Sequence, residues 1–201
     1  MEEDRLVYLA WLKEYAQKHK VQVLAYCLMT NHIHLILTPR TQEGLHSVLK
    51  PLHMRYAQRV NRARGWSGHV WQGRYFSAPL DETYTWAAVR YVERNPVRAK
   101  IVARAEEYRW SSAAAHCGLK ADSVLTKEKE WIKAMAGISN WSEWLAETDE
   151  PEKLKILRRN INKGLPCGSE AFIARLSKIS RRSLKYLPRG RPRKMESEEK
   201  G

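Results

Sequence analysis

The chain lacks any apolar stretch approaching the roughly 20 residues that a membrane-spanning helix needs, and no membrane partner is expected. It is poor in cysteine: Cys27, Cys117 and Cys167 are odd in number, lie far apart and form no C-x-x-C pair. This spacing argues against a disulfide framework and a structural zinc site, and fits a reducing cytoplasm. The opening Met1-Glu2-Glu3-Asp4 lacks the basic and apolar regions of a signal peptide. Acid is scarce where base is dense. Residues 151–195 hold 14 Lys/Arg and 2 Asp/Glu, whereas residues 1–150 hold 21 and 17, within a total net charge of +14. A near-balanced body with a strongly basic tail points to a polyanion, most often nucleic acid, and hence to a cytoplasmic, nucleoid-associated protein.

The 201 residues, 43% of them hydrophobic, suffice for one catalytic domain plus an appendage. Leu6, Leu9, Ala10 and Leu12 form an apolar stripe at helical spacing in 4–20. Val21 to Met29 reads as a strand, Thr30-Asn31 as a turn, and the run to Thr38 as a second strand ended by Pro39. A helix is expected over 41–62, with Pro51 bending or dividing it. Residues 69–77 read as a strand. Another helix starts at Glu82 or Thr83 and runs to about Arg94, where Asn95-Pro96 closes it. Helices at 127–136, 141–147, 152–162 and 170–177 follow, the last capped by Ser169.

The second strand contains His32-Ile33-His34. Alternation puts both imidazoles on one face and turns Ile33, Leu35 and Leu37 into a core. Two neighbouring imidazoles can chelate a divalent cation; a chance pair of half-exposed histidines is the simpler alternative until a third ligand and a nucleophile are found. Tyr91 and Asn95 are candidates. A tyrosine hydroxyl can attack a phosphodiester when the phosphate is polarised and held in line, as a divalent metal can do. An Asn95 amide oxygen, four residues after Tyr91, could complete the ligand set on the same helix face.

Three separated segments carry a family resemblance, which runs from about Glu3 to Ser112. Met29-Thr30-Asn31-His32-Ile33-His34-Leu35 resembles the HUH motif of single-tyrosine (IS200-like) transposases. Gly68-His69-Val70-Trp71-Gln72-Gly73-Arg74-Tyr75 resembles the strand before their tyrosine helix, and Arg90-Tyr91-Val92-Glu93-Arg94-Asn95-Pro96-Val97-Arg98-Ala99 resembles that helix. The Asn-Pro-Val-Arg-Ala form is similar to the branch associated with repetitive extragenic palindromes (REP). The resemblance implies an α+β fold, a ferredoxin-like antiparallel sheet with helices, followed by a helical basic C-terminal region. Together with the change of pattern beyond about Gly118, it divides the chain into 1–118, a catalytic domain; 119–187, helical; and 188–201, a basic tail expected to be disordered. It implies Tyr91 as nucleophile on single-stranded DNA beside a hairpin, leaving a 5′-phosphotyrosine and a free 3′-OH. It also implies Mg²⁺ or Mn²⁺ held by His32, His34 and Asn95; many relatives have Gln at the last position, one methylene longer.

Relatives begin with a strand before the first helix, and this chain begins at the helix. A late start codon or a truncated copy would explain that, and a missing strand would leave backbone groups in the sheet unpaired. DNA contacts are expected from Arg55, Arg59, Arg62, Arg74 and Arg98. In the tail, Arg189 and Arg191 sit in an AT-hook-like Arg-Gly-Arg-Pro core suited to a narrow minor groove. Trp131, Trp141 and Trp144 read as core residues ahead of base-stacking ones. A DNA-binding protein that has lost catalysis is the alternative; an RNA-binding sheet lacks its paired stacking aromatics. Monomer and homodimer both remain open.

Overall fold

The hairpin carrying the histidines forms the one sheet among residues 2–187, the part of the chain described by the computed structural model. Strand β1 (Val21–Leu28) pairs antiparallel with β2 (Ile33–Pro39), with Cys27 opposite His34, Leu28 opposite Ile33, and an irregularity between Val23 and Ala25. Helix α1 (Glu2–Lys18) precedes the sheet and α2 (Gly44–Arg64) follows it. Both cover one face, where Tyr8, Leu12, Val48 and Leu52 pack with Val23 and Leu28 and with Ile33, Leu35 and Leu37 of β2. This is the side to which alternation assigned those three. Helix α3 (Glu82–Glu93) covers the other face, bringing Val89 against Ala25 and Ile36. The fold is α+β, an antiparallel sheet between helical layers, consistent with part of a ferredoxin-like domain.

The chain after α3 is helical: α4 (Asn95–Arg98), a 3₁₀ turn (Ala105–Glu107), α5 (Ala113–His116), α6 (Lys129–Met135), α7 (Trp141–Ala146), α8 (Pro151–Lys163) and α9 (Glu170–Ser180). Ser169 caps α9 as expected, accepting from the Phe172 N–H. Trp86 and Trp131 stack with centroids 5.0 Å apart, and Trp141 is buried with Trp144 against it. These tryptophans are core, in accordance with their spacing.

Two expectations need correction. Residues 69–77 form no strand. A strand requires a neighbour for its N–H and C=O groups, and this segment pairs with neither strand of the sheet. The outer edge of β1 is taken by later chain, through Leu28 N–H to Trp110 O, Ser112 N–H to Tyr26 O and Thr126 N–H to Val23 O. The 69–77 segment is anchored by one side chain instead. Trp71 stacks on His53 at 4.5 Å and donates its indole N–H to the His53 carbonyl at 2.9 Å. Nor does Pro51 divide α2, which runs unbroken from Gly44 to Arg64. One proline removes a single hydrogen bond, and buried Val48, Leu49 and Leu52 hold both sides of it in the core.

The start of α3 is tied to the C-terminal region. Asp81 caps the helix by accepting from the Tyr84 N–H, and its other oxygen accepts from the Ser169 N–H at 2.7 Å. The Cys167 N–H also donates to the Pro79 carbonyl, and the Asp81 N–H to the Cys167 carbonyl. Gly168 lies so close that a Cβ would stand 2.7 Å from an Asp81 carboxylate oxygen and 2.4 Å from the Phe172 ring. Gly168→Ala should therefore loosen this strap and destabilise the protein by about 1–3 kcal/mol, as overpacking does. An unchanged denaturant midpoint would show that the strap tolerates the methyl.

Candidate active site

His32 lies one residue before β2, just past the Thr30-Asn31 turn, and His34 is the second residue of the strand. Their rings stand edge to face with centroids 4.8 Å apart. Helix α3 crosses this sheet face and sets Tyr91 beside them, its ring 5.6 Å from His34. Residues nearly sixty positions apart thus meet because β2 presents His34 and Ile36 to the face that α3 covers. Asn95 opens α4, half-buried and one turn beyond Tyr91. It does not close the last turn of α3. Pro96 interrupts the helix, and the Arg98 guanidinium donates to the Tyr91 carbonyl.

The histidines suit a cation. His34 Nε2 is buried without a hydrogen-bond partner. His32 Nδ1 is engaged with the Asn31 amide oxygen at 2.6 Å, which leaves its Nε2 as the available nitrogen. Burial, helped by His32 and Arg98, pulls the His34 pKa down to about 4, and burial also lowers that of His32. Both rings are neutral near pH 7, the form in which imidazole ligates. Among the described residues no group of three or more His, Cys, Asp or Glu is placed to hold a metal.

His53, half-buried between Tyr8 and Trp71, is likewise pulled down to about 4 by desolvation. Both histidines resist protonation when folded and accept it near pH 6.5 when unfolded. Their contribution to stability is complete above about pH 6.5 and is lost as pH falls towards 4. Denaturant midpoints in metal-free buffer should decline through that window; a flat profile would mean that the two rings are accessible to protons in the fold.

The cations around Tyr91 were only partly foreseen. The Arg98 guanidinium lies 4.1 Å from the Tyr91 ring centroid and that of Arg158 lies 5.8 Å away. Arg90 and Arg94 precede Arg98 at four-residue spacing, a stripe visible in the sequence; Arg158 and Asp149, from distant positions, left no such signal. Other expected DNA contacts are spread out. Arg59 is paired with Glu3 at 2.6 Å and Asp4 at 3.3 Å, and Arg55 with Glu14 at 3.5 Å while lying over Trp11, so both bind α2 to α1. Arg62 and Arg74 are exposed, close in sequence to exposed Trp66 and Phe76. Arg189 and Arg191 lie outside the described residues.

No helix among the described residues is long and apolar enough to cross a membrane. No curated protein and no solved structure matches the chain. The model of the family described as "Transposase IS200 like" matches residues 2–95, a span that contains α1, the sheet, α2, α3, both histidines and Tyr91. Over that region the chain is similar to the IS200-like transposase family.

Proposed function

We propose that the protein is a metal-dependent transposase that nicks and rejoins single-stranded DNA beside palindromic hairpins, through a covalent bond to Tyr91. The observation that carries this reading is the meeting of His32, His34 and Tyr91 from two separate elements. The Tyr91 oxygen attacks phosphorus, and a bond forms between them. The bond from phosphorus to the upstream 3′ oxygen breaks, the tyrosine's proton ends on that oxygen, and the downstream strand remains as a 5′-phosphotyrosine. The exchange of one phosphoester for another lets a second 3′-OH reverse it and join strands. His32, His34 and the Asn95 amide oxygen would hold Mg²⁺ or Mn²⁺, which supplies Lewis-acid polarisation of the phosphate. Arg98, over the tyrosine ring, places positive charge where the phosphate must approach.

Exposed Arg62, Arg64 and Arg74 supply phosphate contacts for the hairpin stem, with Arg64 set 4.7 Å over Trp66. The REP-like Asn95-Pro96-Val97-Arg98-Ala99 segment favours palindromic targets. His34→Ala should cut the rate of covalent adduct formation in Mn²⁺ by about 10²-fold or more while leaving hairpin binding within about twofold. Cleavage at the wild-type rate would remove the metal role from His34. If wild-type protein binds the hairpin tightly and forms no adduct, the scaffold is a DNA-binding protein without catalysis.

A further inference from the structure

Arg90, Arg94 and Arg98 share one stripe of α3–α4 and converge on a single carboxylate, that of Asp149. Arg90 Nε stands 3.4 Å from it, Arg94 Nη1 3.1 Å and Arg98 Nη1 3.5 Å. Arg158 of α8 adds a fourth guanidinium, 5.8 Å from the Tyr91 ring centroid. Against these four cations the described residues set two carboxylates: Asp149, and Glu147, which pairs with Arg90 at 2.9 Å and is largely exposed. Backbone carbonyls do part of the remaining work. Thr148 O accepts from Arg90 at 2.7 Å, and Glu147 O accepts from Arg94.

The match is poor. Arg90 Nε, Arg94 Nε and Arg98 Nη1 are buried without a hydrogen-bond partner. Two of these atoms lie within ion-pair distance of Asp149 but are not aligned to donate to it. A planar carboxylate with two oxygens cannot meet three guanidiniums arriving from one side, whereas a tetrahedral phosphate diester presents oxygens in more directions and bridges neighbouring guanidiniums. Unpaired buried donors are costly, and here they face a group held on an irregular segment between α7 and α8 in which Glu147, Thr148 and Glu150 are all exposed. Arg98 touches both Asp149 and the Tyr91 ring, so whatever replaces the carboxylate lies next to the tyrosine.

We propose that Arg90, Arg94, Arg98 and Arg158 form a site for a backbone phosphate of single-stranded DNA, and that Asp149 occupies it as an internal competitor that the DNA must displace. This deepens the reading of Tyr91 as a nucleophile on DNA, on which it rests for its purpose. Binding equilibria need no cleavage, so the test can be read however the cleavage assay falls.

The experiment measures the affinity of the full chain, in a Tyr91→Phe background, for a short mixed-sequence single-stranded oligonucleotide over a range of salt. Three further variants are compared: Asp149→Asn, Glu150→Gln and Arg94→Gln. Glu150→Gln removes the same charge from the same segment, but its carboxylate pairs with Lys153 and not with the arginines. Asp149→Asn should bind on the order of tenfold tighter than Glu150→Gln. It should also steepen the log–log salt dependence by about 0.7, the mark of one added phosphate contact to a single strand. Arg94→Gln should bind several-fold more weakly than the parent. Inorganic phosphate should raise the thermal midpoint more in Asp149→Asn than in the parent, and not in Arg94→Gln. Equal gains in Asp149→Asn and Glu150→Gln would reduce the effect to net charge and overturn the proposal, as would unchanged affinity in Arg94→Gln. Should Asp149→Asn fail to fold, the Arg94→Gln comparison and the phosphate response of the parent decide the matter alone.

Discussion

Tyr91→Phe should abolish covalent capture of single-stranded DNA and leave hairpin affinity within about twofold. The substitution deletes one oxygen, the only atom through which this residue can bond to phosphorus. The ring remains, and with it the contacts to His34 and to the Arg98 guanidinium that position α3. Stability should therefore change by no more than about 1 kcal/mol, and adduct formation should fall by roughly 10³-fold or more, beyond detection on a gel. His32 and His34, intact in the variant, would still bind the cation, so metal affinity gives an internal control. Residual adduct at the wild-type level would place the nucleophile elsewhere, in a chain with eight other tyrosines.

The second large effect falls on stability. Glu93 is fully buried two residues after Tyr91. One of its oxygens accepts from the Ser112 hydroxyl and meets His116 Nδ1 at 2.7 Å; the other accepts from the Trp141 indole N–H at 2.9 Å. Ser112 also contacts the backbone of Tyr26 on β1. One carboxylate thus joins the tyrosine helix to the sheet, to α5 and to α7. Glu93→Leu is close in volume and leaves three buried polar groups without their acceptor, which should cost about 3–5 kcal/mol. Glu93→Gln, which keeps an acceptor oxygen, should lose less. Chemical denaturation measures both, and a loss below about 1 kcal/mol for the leucine variant would mean that the network rearranges without it.

Much of the site could be read in the sequence because it is local. Alternation across His32, Ile33 and His34 assigned each side chain its face; Asn95, expected on the last turn of the Tyr91 helix, instead opens α4. The N-cap of α9 and the core role of the tryptophans follow from similarly short patterns. What could not be read depends on neighbours. Residues 69–77 have the composition of a strand, yet pairing depends on distant chain that the segment itself does not reveal, and here it pairs with no strand and Trp71 docks by its side chain. Arg55 and Arg59 look like DNA ligands on an isolated helix; the acidic residues of α1, some forty to fifty-five positions earlier, engage them. Asp149 and Arg158 carry no local pattern, and only the packing of α8 against α3 brings them to Tyr91. Asp81 stands before a helical run in the position of a cap, so its signal was present; its second bond, to the Ser169 N–H, was not visible there.

The most direct test uses wild-type protein, Mn²⁺ and a single-stranded palindrome labelled at either end, followed by denaturing electrophoresis and tryptic mapping. The label at the 3′ end should migrate with the protein, and the label at the 5′ end should leave on a fragment bearing a free 3′-OH. The modified peptide should be the one from Tyr91 to Arg94, released by cleavage after Arg90 and Arg94. Protein-bound label from the 5′ end, a modified peptide elsewhere, or no adduct despite tight hairpin binding would each contradict Tyr91 as the nucleophile of a 5′-phosphotyrosine reaction.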